Sequence, residues 1–195
     1  MSTSKAVPYH HGDLKAALLE AAAALLDEGG VAAVSLREAA RRVGVTPAAT
    51  YRHFADKEAL LAALATQGFE AFSKAMQQAA RKALEPFAAM GVAYVRFAVR
   101  HPGMFRLMFG PAVADRSRSP ELQAAIAKST QVFDQGLKMR GDAAGDAGLA
   151  ALRAWALMHG LAMLSLDGML PGYDAETLAR ALTKMPLPAN KKVST

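Results

Sequence analysis

Residues 35–57 read S-L-R-E-A-A-R-R-V-G-V-T-P-A-A-T-Y-R-H-F-A-D-K, and their spacing predicts two short helices joined by a tight turn. Ser35 can cap the first helix, and Glu38, three residues on, can reach back to it in a capping box. Leu36, Ala39, Ala40 and Val43 fall at i, i+3, i+4 and i+7, which makes one face of that helix apolar. Gly44 follows, where a helix end favours a residue free to take positive φ. Thr46 can cap the next helix, with Pro47 at its first position, where a missing N–H is harmless. Helix, glycine-bearing turn and helix form a helix-turn-helix pattern. The second helix would present Ala48, Tyr51, Arg52 and His53 to a groove.

Upstream, Leu14, Leu18, Ala21, Ala22, Leu25 and Leu26 make a helical stripe, with Asp13 to cap it and Gly29-Gly30 to stop it. Residues 1–12 read either as an arm that sets Lys5, Tyr9, His10 and His11 against a phosphate or minor groove, or as a frayed terminus. Downstream, Asp56 caps a helix expected to run to about residue 83 on Leu60, Leu61, Leu64, Phe69, Phe72 and Met76. The apolar segment 84–110 is split into two helices at His101-Pro102-Gly103, because proline disfavours helix at the residue before it.

Residues 112–120, A-V-A-D-R-S-R-S-P, read as a polar, mobile loop. A helix over 120–139 and a glycine-bearing loop over 140–148 follow. The next helix, 149–166, is apolar nearly all round and so is expected to be buried on more than one side, against its own domain and against a second copy. A short helix at 175–184 precedes a polar tail. With no strand-like alternation, the expected fold class is all-α. A three-helix helix-turn-helix domain with its arm occupies 1–57, a larger helical bundle 58–185, and the tail 186–195.

The bulk numbers agree with this. The chain has 195 residues, 52% hydrophobic and 21% charged, as a globular protein does. Zero cysteines exclude disulfides, zinc fingers and thiol chemistry. Charged residues interrupt every stretch before about 18 consecutive apolar positions accumulate, and the first 13 residues hold no apolar core for a signal peptide. A cytoplasmic protein without a membrane partner is the expectation. Net charge is +6, yet residues 1–60 hold seven Lys/Arg and seven Asp/Glu. Within 35–57, Arg37, Arg41, Arg42, Arg52 and Lys57 oppose only Glu38 and Asp56, which localises the positive field to the motif.

The opening helix H-G-D-L-K-A-A-L-L-E-A-A, the helix and turn S-L-R-E-A-A-R-R-V-G-V, and above all T-P-A-A-T-Y-R-H-F-A-D-K-E-A-L-L resemble the DNA-binding domain of TetR-type transcriptional regulators. F-A-V-R-H-P-G-M-F-R-L-M-F-G-P and W-A-L-M-H-G look like the C-terminal ligand and dimerisation domain of a subgroup named for its Trp-His-Gly residues. The resemblance implies a homodimer, joined through the C-terminal helices, whose helix-turn-helix binds a palindromic double-stranded DNA operator. It implies repression relieved by a small ligand.

Individual residues sharpen this. Arg37 is the side chain best suited to a bidentate contact with guanine, and Thr46, Pro47 and Ala48 can meet a thymine methyl. Ser35 can give its hydroxyl to a phosphate. Tyr51 and His53 match positions that in this family touch phosphate or bases, although the Tyr51 ring can also pack inside the domain. Lys57 beside a helix start suits a phosphate clamp. Arg41, Arg42 and Arg52 serve equally as phosphate contacts or as a solvated face.

Phe97, Met104, Phe105, Met108, Phe109, Trp155, Met158 and His159 are candidates to line an apolar ligand cavity, each also acceptable as ordinary core. His159 is either the polar handle of that cavity or a helix-packing histidine. Motifs for a catalytic residue, a cofactor or a metal are absent, so no enzyme is expected. The alternative readings are a helical small-molecule-binding protein that does not read DNA and, third, a helical-bundle enzyme dependent on His159.

Overall fold

A computed structural model of the protein describes residues 14–140 and 147–185. The candidate arm, the Asp13 cap, most of the glycine-bearing loop and the tail lie outside the described residues. Among those described, nine α-helices and one 3-10 turn account for the regular structure, and no strand forms. They are α1 (Leu14–Ala33), α2 (Leu36–Val43), α3 (Pro47–Thr50), α4 (Lys57–Arg81), α5 (Pro86–Arg100), α6 (Pro102–Phe109), the turn Arg116–Arg118, α7 (Pro120–Arg140), α8 (Ala147–Leu166) and α9 (Ala175–Lys184). The fold is all-α, as expected.

Helix α1 breaks at Gly29 and Gly30, whose backbone leaves helical geometry, and one short turn carries on to Ala33. Its face of Leu18, Ala22, Leu25 and Leu26 is buried. Those residues join Leu36, Ala39 and Phe54 in a core that runs without interruption through Leu60, Leu64 and Phe72 of α4 to Tyr94, Phe105 and Met158. Helix α4 is the shared member. Its first turns close the N-terminal helices, and its later turns form the spine of the bundle.

Helix α6 joins the two halves from the other side, packing on both α1 and α4. Gly103 permits that approach, because a Cβ there would sit 2.8 Å from the Leu26 carbonyl oxygen. Arg106 pairs with Asp167 at 2.5 Å, and Arg96 pairs with Glu176, fastening α6 and α5 to the elements after α8.

Residues 112–120 depart from the mobile loop expected of their polarity. Val113 is buried at 3% exposure, and the Asp115 carboxylate accepts from the Ser117 N–H at 3.0 Å. The Asp115 N–H donates to Glu58 Oε1 at 2.9 Å, and Arg118 stands 3.7 Å from Asp56 and 3.6 Å from Glu58. This strap is pinned to the start of α4, because its alternating charges find complements there.

Helix α8 also differs from an ordinary core helix. By length and composition it is the one described helix able to cross a membrane, over Gly148–Leu166 with mean hydropathy 1.4, yet only 22% of that window is buried. Arg153 interrupts it. Leu152, Leu157 and Leu164 are exposed, and nothing lies within 4 Å of a Cβ built on Gly160. Leu152, Ala156, Gly160 and Leu164 therefore make a stripe at i+4 spacing whose centre is small and open.

Candidate nucleic-acid interface and the cavity behind it

Helix α2 starts at Ser35, whose Oγ accepts from the Glu38 N–H at 3.1 Å. That is half of the expected capping box. The Glu38 carboxylate turns away to Arg41, which grips it through Nε at 2.9 Å and Nη2 at 2.6 Å. A bidentate, charge-assisted pair is stronger than a return bond to a backbone N–H. The helix ends at Gly44 with φ +78°. The Gly44 N–H donates to Arg41 O at 3.3 Å and the Val45 N–H to Ala40 O at 3.0 Å, a Schellman closure.

The second motif helix is short. Thr46 precedes it with an extended backbone but makes no side-chain cap bond, so Pro47 and not a cap bond marks the start. Thr50 is fully buried, and its hydroxyl donates to Pro47 O at 2.7 Å. The chain leaves through His53 and Phe54 N–H groups that both donate to Thr50 O. Asp56 then caps α4 by accepting from the Ala59 N–H at 2.8 Å.

What remains outside is a compact polar face. Arg37, Thr46, Pro47, Ala48, Tyr51, Arg52 and His53 are all exposed. Tyr51 is 60% exposed, so its ring does not pack within the domain, while Phe54 at 3% does. The positive field is narrower than charge counting implies. Arg42 makes two hydrogen bonds to Glu28 of α1, at 2.7 and 2.5 Å, and Arg41 is held by Glu38. Those carboxylates are pulled below their ordinary pKa by the hydrogen-bonded guanidinium beside each. Lys57 donates to Val31 O at 3.0 Å, which sets its ammonium beside the C-terminal end of α1. Arg37 and Arg52 stand without such pairs among the described residues.

Behind this face, within the bundle, lies a cavity of about 560 Å³. Phe69, Phe72 and Met76 line it from α4, and Trp155 and His159 from α8, with Tyr94 and Phe109 between them. Of the eight residues proposed from sequence, Phe109, Trp155 and His159 are on its wall. Phe97, Met104, Phe105, Met108 and Met158 are not. Phe105, Met108 and Met158 are essentially fully buried core behind the wall, and Met104 and Met108 fill the space over Gly68. Their apolar type suits either place, and only packing separates the two.

The polar members of the wall escaped the sequence reading. Arg116 reaches it from the strap while donating to Gly110 O at 3.0 Å. Ser129, Thr130 and Asp134 reach it from α7. With Ile126 and Phe133 they fall at i, i+3, i+4, i+7 and i+8, a helical stripe whose mixed polarity was the available signal. Tyr94 Oη lies 2.9 Å from His159 Nδ1. Burial raises the Tyr94 pKa, an effect offset in part by the Trp155 indole N–H acting on the same oxygen. Burial lowers that of His159. With the imidazole neutral, the 2.9 Å contact fits the phenol donating to Nδ1, which sets the His159 proton on Nε2.

Two family models match the chain. One described as "Bacterial regulatory proteins, tetR family" covers residues 18–64, and one described as "Tetracyclin repressor-like, C-terminal domain" covers 87–185. A solved protein of unknown function from Rhodococcus sp. RHA1 is 36% identical, with a TM-score of 0.80 over 90% of this chain and 94% of that one. A TetR family transcriptional regulator, PfmR, from Thermus thermophilus has the same fold at 22% identity, with a TM-score of 0.66 over 90% and 99% of the two chains. An uncharacterized HTH-type transcriptional regulator of Bacillus subtilis (strain 168), YobS, is 31% identical over 90 residues. That match spans 45% of this chain and 47%, about half, of the length of that curated relative.

Proposed function

This chain belongs to the TetR family of bacterial transcriptional regulators, and on that premise we propose that it binds an operator as a homodimer and releases it when a small apolar molecule occupies the bundle cavity. The observation that carries this reading is the exposed face of the helix-turn-helix. Arg37, Thr46, Pro47, Ala48, Tyr51, Arg52 and His53 are all exposed to solvent on or beside the two motif helices, while Leu36, Ala39, Ala40, Thr50 and Phe54 are buried beneath them. Arg37 supplies guanine readout, and the small residues at 46–48 allow close approach to base edges. Ser35, Tyr51, Arg52, His53 and Lys57 serve phosphates and flanking bases, Lys57 after release from Val31. Phosphate contacts set register, and base contacts set sequence.

The α8 stripe of Leu152, Ala156, Gly160 and Leu164 supports the homodimer, because two copies crossing at Gly160 would cover both apolar faces. Two half-sites read by such a dimer lie about 34–36 Å apart or multiples of that, which makes the operator an inverted repeat. Ligand acts by differential affinity for two dimer arrangements. Both α4 and the strap are placed to carry the change, since the strap sets Arg116 on the cavity and Arg118 beside the α4 start. Repression is the outcome proposed.

Selection from random duplexes with the full chain tests this. An enriched inverted repeat is expected, and its affinity should fall steeply with salt as Lys and Arg contacts displace counterions. Arg37→Ala should cost about 1–3 kcal/mol on the selected site and relax preference at one base pair per half-site. Selection that enriches nothing would remove operator binding and leave a small-molecule-binding protein.

A further inference from the structure

Two polar groups on the α7 wall have no partner in the protein. Ser129 is only 7% exposed, and its hydroxyl makes no hydrogen bond among the described residues. Asp134, five residues on, is half-buried and makes neither an ion pair nor a hydrogen bond there. Buried polar groups are almost always paired, and the Ser129 hydroxyl is an exception on the cavity wall. Six carbocyclic and indole rings share the wall, those of Phe69, Phe72, Tyr94, Phe109, Phe133 and Trp155, with Met76, Ile126, Ala151 and Leu152 as further apolar lining.

We propose that the cavity takes an elongated lipophilic amine, its apolar body against the rings of α4 and α6 and its protonated nitrogen between Asp134 and Ser129. This names the ligand class for the cavity and rests on reading that cavity as the ligand site. An ammonium supplies donors to an unpaired carboxylate and to a hydroxyl oxygen, and an aromatic lining that includes Phe133 and Trp155 suits a cation, which ring faces attract. His159 adds no opposing charge, because its imidazole is neutral and already committed through Nδ1 to Tyr94. The one cation on the wall, Arg116, is held by the Gly110 carbonyl on the strap preceding α7. Asp134 sits fourteen residues into that helix, about 21 Å of helical rise from its start. Asp134 is the one carboxylate on the cavity wall.

The test uses the full chain and a neutral reporter, N-phenyl-1-naphthylamine, which fluoresces in apolar surroundings. The reporter is displaced by decylamine, decanol and decanoate, kept below micelle-forming concentrations. Decylamine should displace it at a concentration roughly tenfold below that of decanoate, the increment expected of one charge pair. The protein's net charge of +6 favours the anion at long range, so an amine preference reports the local site. Asp134→Asn should collapse the preference and Asp134→Glu should restore most of it, which separates a charge effect from a folding defect. If the reporter binds but no amine preference exists, or the preference survives Asp134→Asn, the amine proposal is overturned while the ligand cavity stands. If the reporter does not bind, both fall.

Discussion

Residues 35–57 turn their apolar side chains inward and leave the chemistry outside, whereas the bundle of α4–α8 turns some of its chemistry inward. In the first region, the helix ends and turns are set by neighbours within one or two turns: Ser35 by the Glu38 N–H, Gly44 by Ala40 and Arg41, Thr50 by Pro47. In the second, the wall draws on α4, α5, α6, the strap, α7 and α8, elements separated by up to 90 residues. A locally encoded surface tolerates substitution of its contact residues without loss of fold. A cavity assembled from distant elements shares its walls with the core, so changes there act on stability and binding together.

The largest test of that contrast pairs Phe72→Ala with Tyr51→Ala. Phe72 is 2% exposed and meets the rings of Tyr94, Phe97 and Phe109 edge-on, with centroids 4.8, 5.2 and 6.1 Å away. Its truncation should cost about 3–5 kcal/mol in urea unfolding, as large-to-small changes in packed aromatic sites do. Tyr51→Ala should stay within about 0.5 kcal/mol of the parent while weakening operator binding. A loss below about 1 kcal/mol for Phe72→Ala would mean the cavity wall is not part of the core, and the contrast would break.

The same contrast explains what could be read from the sequence. The helix-turn-helix was legible because capping residues, Gly44 and Pro47 act within a few positions of themselves, and helix positions along the rest of the chain followed from proline and from apolar period. The face was legible too, except in its charges. Arg42 meets Glu28 across fourteen residues, and Lys57 meets the Val31 carbonyl across twenty-six, separations that spacing rules do not reach. The cavity wall was legible only for Phe109, Trp155 and His159. Phe105, of the same residue type as Phe109, differs from it only in the neighbours it meets. Ser129 and Asp134 carry no signal of a cavity in the sequence, since polarity on a helix ordinarily marks the side turned to water.

A second, smaller effect is expected at the seam between the regions. Gly103→Ala would set a methyl 2.8 Å from the Leu26 carbonyl oxygen, and backbone cannot swing aside as a flexible side chain does. The cost should be about 1–3 kcal/mol, with α6 displaced from α1 and hydrogen exchange accelerated in both helices. Gly68→Ala serves as the counterpart, because the atoms it meets belong to the unbranched side chains of Met104 and Met108 and not to backbone. If the two substitutions cost the same, α6 is not seated rigidly on α1, and the regions are coupled through α4 and the strap alone.

The smallest effect concerns proton uptake by the cavity. Burial lowers the His159 pKa, so the folded protein binds this proton less readily than the unfolded chain, whose histidine titrates near 6.5. Where the unfolded state binds more protons, stability rises with pH. The buried imidazole therefore leaves stability untouched above about pH 7.5 and erodes it as pH falls through 6.5, the loss levelling off below the folded-state pKa. His159→Gln should remove that component, flattening the dependence of unfolding free energy on pH between about 7 and 5 while leaving the carboxylate-driven loss at lower pH in place. A bound amine should steepen the same component, because the ammonium and a protonated His159 would repel across one apolar cavity. An anion there would invert it, drawing a proton onto Nδ1, whose N–H then donates to the Tyr94 hydroxyl oxygen. If His159→Gln leaves the slope unchanged, the imidazole is solvated in the folded protein, and the cavity is open to water on its α8 side.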